Sequence, residues 1–464
     1  MQKKITQIIS KIFIIFILLI TLIYTSTFAA TTEKAVLPET LVPYCMLVDL
    51  DSGAILYNKN AYEQIYPAST TKIMTAIIVL ENCKMDEMVP ISHYAIFNVP
   101  MDYSNANLQE GELLSVQDLL YALLIPSAND AAFALAQYVG SNGETYLTDG
   151  SNEAKEQFER NCNSFYDMMN AEATNLGCKN THFVNPNGIH SEDHYTTTYD
   201  LSLMAQKAMT YDIFRKIVST TSYTLPSSNV YPEADRYLKT TNTMLDPSSK
   251  YYYEYTTGIK TGYTQPAEHC IAISATKDDV NLLAIVMHGE NLDDGSRQRE
   301  SDCLTLFEYG FSNYSKKTIA HKDDVQKTIY VKGATFDTMK LNLVLDDDLK
   351  ALLENNFDLE SYTPNIRLDE DIKAPIVKGK QLGTITYTIN NVDYVGRLVA
   401  QTDVEKLDVV KISMIAALVL ILLLTVLTII HRLRKNNKRK RGKRKKDKSE
   451  GYNPYRTNPY YRKR

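Results

Sequence analysis

From Ile412 to Ile430 the chain runs nineteen residues without a charge, and only Ser413, Thr425 and Thr428 among them are polar. That length matches the hydrocarbon core of a bilayer, whereas a helix lying on a membrane surface would need a polar face that this run lacks. Lys411 precedes it, and twelve Lys and Arg follow between Arg432 and Lys448. The positive-inside rule therefore predicts a single transmembrane helix at 412–430, a cytoplasmic tail at 431–464, and everything from 31 to 410 outside. A stop-transfer flank accounts for the basic tail, and its Tyr, Asn and Pro residues after Gly451 predict disorder. The other end agrees. Lys3, Lys4 and Lys11, an apolar stretch from Ile12 to Ile23, and Ser26–Ala30 read as a signal peptide over residues 1–30.

This topology changes the meaning of the overall charge of −5. All of the 55 Asp and Glu except Asp447 and Glu450 precede the apolar run, while sixteen of the 50 Lys and Arg follow it. The exported portion is thus strongly acidic, which argues against nucleic acid as a partner.

At about 380 residues the exported portion is long enough for two domains. An apparent hairpin, 44–50 and 54–58 around Asp51-Ser52-Gly53, is followed by a helix expected from Ser69. Helical periodicity recurs at 116–124, 130–139, 156–176 and 199–209, and two buried strands are expected at 271–275 and 282–286. A sheet flanked by helices is the expected architecture of a domain over 31–315. From about Lys316 the pattern becomes one of short alternating runs, at 327–331, 338–344, 365–368, 381–389 and 392–399, and predicts a small all-β domain at 316–405.

Three short strings in the first domain carry chemistry: Ser69-Thr70-Thr71-Lys72, Ser127-Ala128-Asn129 and Lys260-Thr261-Gly262. A hydroxyl and an amine three residues apart share a helix face. A serine is a poor nucleophile until a neighbour takes its proton, and lysine can do so only when neutral. A free lysine titrates at about 10.4, so Lys72 must be depressed, by burial and by a second cation, for which Lys260 is the candidate. Asn129 is the expected amide that holds Lys72, and Ser127 the hydroxyl that returns a proton to a leaving amine. Gly262, without a side chain, would let a substrate backbone lie along its strand. Singly each string is common at helix starts, turns and hairpin ends; in this order they predict an acyl-transfer site.

At these residues the chain resembles the D-alanyl-D-alanine carboxypeptidases, the low-molecular-weight penicillin-binding proteins of the S11 serine peptidase type. The resemblance runs from about Cys45 to Phe311, through 67–76, 126–132 and 258–264, and includes Asn185-Pro186-Asn187-Gly188 and 194–201. It implies the α/β fold of serine β-lactamases and penicillin-binding proteins, and removal of the terminal D-alanine from peptidoglycan stem peptides through an acyl-enzyme on Ser69, with β-lactam antibiotics as inhibitors. It also implies an oxyanion hole made by the backbone amides of Ser69 and Tyr263, with Lys260, Thr261 and Gly262 binding substrate. The β domain resembles the C-terminal domain many of these carboxypeptidases carry, and because none of its residues forms a catalytic set it is expected to be a spacer or docking platform. No cofactor is implied.

Three other readings stay open. An endopeptidase that cuts crosslinks uses the same residues. A β-lactamase would add a water-activating glutamate, for which Glu159 in Glu159-Arg160-Asn161-Cys162-Asn163 has the spacing. A non-catalytic wall-binding scaffold would not need the complete set. The stretch 141–176 is longer than the family leads one to expect and could alter the active-site rim. Of six cysteines, only Cys162 and Cys178 suggest a disulfide pair. No metal site is predicted, and His182, His190 and His194 read as polar loop residues.

Overall fold

Near-continuous apolar runs in a strand mean that both its faces are covered. The computed structural model, which describes residues 36–233, 235–359 and 362–449, shows how. Strands β1 (Tyr44–Asp49), β2 (Ile55–Lys59), β7 (Thr256–Thr264), β8 (Glu268–Lys277) and β9 (Val280–Gly289) form one sheet in the order β2–β1–β9–β8–β7. Every pairing in it is antiparallel. One face carries Met46, Val48, Ala272, Leu283, Ile285 and Met287 into the larger core. The alternate residues Cys45, Leu47, Ile271, Ile273, Leu282, Ala284 and Val286 point the other way, onto Cys303, Leu306 and Phe307.

The larger core is roofed by α1 (Lys72–Asn82), α3 (Val116–Leu124), α4 (Asn129–Gly140), α5 (Asn152–Asn175) and α6 (Thr198–Met209), with α2 (His93–Phe97) and α7 (Asp212–Val218) at its margins. The opposite face is covered by α8 (Gln298–Asn313), a helix without a clear apolar period in the sequence. Two short ribbons, β3 (Met88–Pro90) with β4 (Leu113–Ser115) and β5 (Ser222–Thr224) with β6 (Tyr237–Lys239), complete the unit. The long α5 lies against α4, where Gly140 permits contact: a Cβ there would sit 1.8 Å from the Asn161 carbonyl oxygen. Ala154, Phe158, Cys162, Phe165, Met169 and Ala173 of α5 are buried, so the segment serves core packing.

Two compact units are formed. The first takes the described residues up to Ile319 together with Leu349–Pro364 and Tyr387–Tyr394; the second takes Ala320–Asp348, Asn365–Thr386 and the chain from Val395. Strand β10 (Tyr314–Ala320) pairs with β13 (Leu349–Glu354), whose Leu352 joins the core beneath α8, so this segment groups with the first unit although it follows residue 315. The second unit is built on a sheet in the order β11 (Val325–Tyr330), β12 (Lys340–Leu345), β16 (Val392–Ala400), β15 (Gln381–Ile389) and β14 (Asn365–Leu368). Its strands alternate. In β16, Leu398 and Ala400 are buried while Val395 and Arg397 face out, as one covered face requires.

The last helix, α9, runs Val409–Ser449. Within it Val409–Arg441 is the one helix among the described residues long and apolar enough to cross a membrane. The signal-peptide expectation for 1–30 and the tail beyond Ser449 lie outside the described residues.

Candidate active site

The first string folds more tightly than a helix start. Ala68–Thr71 is a 3-10 turn, entered through Ala68 at φ 46°, and α1 begins only at Lys72. In a 3-10 turn side chains three apart eclipse, and Lys72 Nζ lies 3.0 Å from Ser69 Oγ. Lys72 is wholly buried. Its Nζ also donates to Asn129 Oδ1 and to the Asn187 carbonyl, each at 2.8 Å. A neutral amine has two N–H donors and one lone pair; with both donors held, the lone pair faces the Ser69 hydroxyl.

Burial first, and then the Lys260 ammonium, push the Lys72 amine well below its usual range, against a smaller upward pull from Asp130. Lys260 is equally buried; burial and the Arg299 guanidinium bring it down to about 7. Its Nζ donates to the Thr261 carbonyl at 2.8 Å, and the Thr261 and Thr241 hydroxyls are 2.6 Å apart.

Asn129 opens α4 and is oriented from both sides. Its backbone N–H and its Nδ2 each donate to the Ser104 carbonyl at 2.9 Å, leaving Oδ1 for Lys72. The Ser104 loop is held in turn by Asp130, whose carboxylate accepts from the N–H groups of Ala106, Leu108 and Ala131 at 2.9–3.1 Å. Ser127, in the left-handed region at φ 68°, lines the cleft, and its hydroxyl has no protein partner among the described residues.

Strand β7 brings the third string against the first. A Cβ on Gly262 would be 2.8 Å from the Ser69 amide nitrogen and 3.1 Å from Ala68 Cβ. The missing side chain therefore admits the Ser69 backbone itself, a tighter requirement than the expected room for substrate. Gly188 makes a similar approach at φ +85°, where a Cβ would lie 1.8 Å from the Ala68 carbonyl oxygen. All the expected residues, Ser69, Lys72, Ser127, Asn129, Lys260, Thr261, Gly262 and Tyr263, are gathered here from three segments. Most of them wall a cleft of about 510 Å³, with Lys72 and Lys260 in the protein beneath it.

Sequence reasoning missed several contributors. Asn187 acts through its backbone carbonyl, which leaves no residue-type signal. Its loop is fixed by Thr75, whose hydroxyl donates to the Pro186 carbonyl, and by His194. His194 Nδ1 accepts from the Val184 N–H at 3.1 Å and Nε2 donates to Thr71 Oγ1 at 2.8 Å, a neutral ring that burial holds down to about 3. It is a buried support, not the polar loop residue expected. Arg299 and Arg297 line the cleft from α8 and the turn before it. Arg299 pairs with buried Glu300, which also accepts from Thr243 Oγ1 at 2.8 Å. Tyr263 and His269 pack ring to ring at 4.7 Å along the rim.

Two expectations fall outside the site. Glu159 is on the surface of α5, 3.9 Å from Lys155, and does not line the cleft; nor does any residue of 141–176. All six cysteines are free, Cys162 and Cys178 included.

Residues 31–291 match the family model described as D-alanyl-D-alanine carboxypeptidase. The chain belongs to this family. Residues 314–406 match a second model, the C-terminal domain of penicillin-binding protein 5. The D-alanyl-D-alanine carboxypeptidase of Streptomyces sp. strain K15 is 34% identical over 303 residues, covering 63% of this chain and 94% of that protein. The carboxypeptidase DacF of Bacillus subtilis is 28% identical over 345 residues, covering 73% and 79%. Among solved structures, the Streptomyces K15 DD-transpeptidase superposes with a TM-score of 0.52 at 32% identity, over 60% of this chain and 99% of that one. A peptidoglycan synthesis regulatory factor of Streptococcus pneumoniae shares the fold over 79% of this chain, with a TM-score of 0.65 at 22% identity. This carboxypeptidase is accordingly a serine hydrolase of the S11 class.

Proposed function

We propose that the cleft removes the terminal D-alanine from peptidoglycan stem peptides through an acyl-enzyme on Ser69. The observation that carries this reading is the three-way setting of Lys72 Nζ, fixed by Asn129 Oδ1 and the Asn187 carbonyl with Ser69 Oγ as its third contact. Neutral Lys72 takes the Ser69 proton as Oγ attacks the carbonyl of the last peptide bond. Negative charge builds on that carbonyl oxygen, where the amides of Ser69 and Tyr263 can meet it. The C–N bond then breaks, Ser127 passes a proton to the departing D-alanine amine, and water later hydrolyses the ester. Asn129 orients Lys72 and the substrate. Lys260, Thr261 and Gly262 supply the binding strand, while Arg299 and Arg297 offer positive charge to the substrate's terminal carboxylate. A penicillin, opened by the same attack, would be held as a stable ester on Ser69.

The span at 412–430 is read as a single anchor that leaves the catalytic domain outside and the basic tail in the cytoplasm. The experiment for the catalytic reading uses the full chain in detergent. Ser69→Ala is expected to lose both fluorescent-penicillin labelling and D-alanine release from a pentapeptide while unfolding at the wild-type temperature. Labelling that persists in a folded Ser69→Ala protein would overturn the assignment.

A further inference from the structure

A second cavity of about 290 Å³ lies beside the cleft, and its walls differ in kind. Tyr44, Tyr66, Tyr195 and His288 line it, with Ile65 and Met287 at its base. Edge-to-face packing fixes two of the tyrosine rings: Tyr66 against His190 at 4.5 Å and 86°, and Tyr44 against His288 at 6.3 Å and 82°. No Lys or Arg lines the cavity, and the carboxylate at its rim is Glu192. That carboxylate and the three tyrosine hydroxyls have no hydrogen-bond partner among the described residues.

The two cavities share their walls. Gly188 and Ile189 line the cleft, and Glu192 and Tyr195 of the same loop line the second cavity. On the β7–β8 turn, Thr264 and Gln265 belong to the cleft, Pro266 and Ala267 to its neighbour. Tyr66 is three residues before Ser69, which limits the separation of their Cα atoms to roughly 10 Å.

We infer that this cavity binds a side-chain ammonium of the stem peptide, carried by the residue just before the terminal D-alanyl-D-alanine. Aromatic faces attract a cation through their quadrupoles, and a carboxylate at the mouth adds a charge-assisted partner. A four-carbon amine stem is itself apolar and suits Ile65 and Met287, while its charged end stays near solvent at Glu192. The proximity of Tyr66 to Ser69 puts the group within reach when the scissile carbonyl is at the serine. The inference rests on the stem-peptide reading of the cleft.

The test measures binding apart from turnover. A pentapeptide ending in Lys-D-Ala-D-Ala and its Nε-acetyl derivative are titrated calorimetrically into the full-length Ser69→Ala protein. The free amine is expected to bind about 2- to 30-fold more tightly, the range of cation–π contacts from exposed to desolvated. Glu192→Gln and Tyr195→Leu in the same background should each narrow that ratio and leave the acetylated peptide unchanged. Equal affinities for the two peptides, or equal weakening of both by Glu192→Gln, would overturn the assignment. Wild-type protein that prefers the free amine yet releases no D-alanine would instead leave the cavity standing and sink the carboxypeptidase reading.

Discussion

Lys72 and Lys260 are both stripped of water, and neither forms a salt bridge among the described residues. Burying an ammonium without a counter-ion is expensive, and the usual outcome is loss of the proton. The site uses that outcome to obtain a base. Because Lys72 must be neutral to act, acylation is expected to fall as pH drops through its depressed pKa. The Lys260 ammonium helps depress Lys72, after burial. Lys260→Gln should therefore let the Lys72 pKa rise and move the acid limb of the acylation profile to higher pH, besides weakening binding. A limb that stays in place would show that burial alone sets the base. Gly262→Ala tests the other half of the site. Its Cβ must displace the Ser69 amide or β7 itself, so acylation is expected to fall about 100-fold or more, as when an oxyanion donor is lost. The unfolding temperature is expected to fall as well, because the obstructing atom belongs to the backbone, so acylation is compared below the lowered melting temperature.

At the scale of elements, each string gains its function from what an adjoining segment does to it. The 3-10 turn before α1 puts Ser69 over Lys72; the Asp130-tethered loop at 104–108 aims Asn129; the loop wedged by His194 supplies the Asn187 carbonyl. Beneath them α4 and α5 cross at Gly140, closer than any side chain allows. Gly140→Ala is expected to destabilise the fold by about 3 kcal/mol or more, since the obstructing atom belongs to the backbone. As no residue of α5 lines the cleft, penicillin acylation below the lowered melting temperature should proceed at close to the wild-type rate. Unchanged melting would mean the helices separate freely at that crossing.

For the molecule as a whole the decisive number is the length of the uncharged run. Nineteen such residues ending in a dense basic flank should hold one span in the bilayer, because translocating those cations would be opposed while the apolar segment stays in lipid. The protein is expected to resist extraction by high salt or alkali and to yield only to detergent. Protease added outside intact cells should remove the catalytic domain and spare an epitope placed after Arg464. Release by salt, or loss of that epitope, would restore an anchor lying on the membrane surface.

The sequence by itself determined the motif residues, most helices of the first unit, its buried strands, the β-rich character of the second unit and the apolar span. All of these depend on local periodicity, on residue chemistry or on length, which neighbours along the chain suffice to express. It did not determine α8, β10 or β13, whose apolar residues have meaning only against the second face of the sheet. Nor did it indicate the Asn187 carbonyl, which any residue could supply, or Arg297 and Arg299, which have no motif around them. Even Gly262, visible in the sequence, was assigned its reason by the tertiary structure. That a strand some 190 residues on passes within a Cβ of the Ser69 amide is set by sheet register and by the packing of the 3-10 turn before α1 against it, and neither is written in any local stretch of chain.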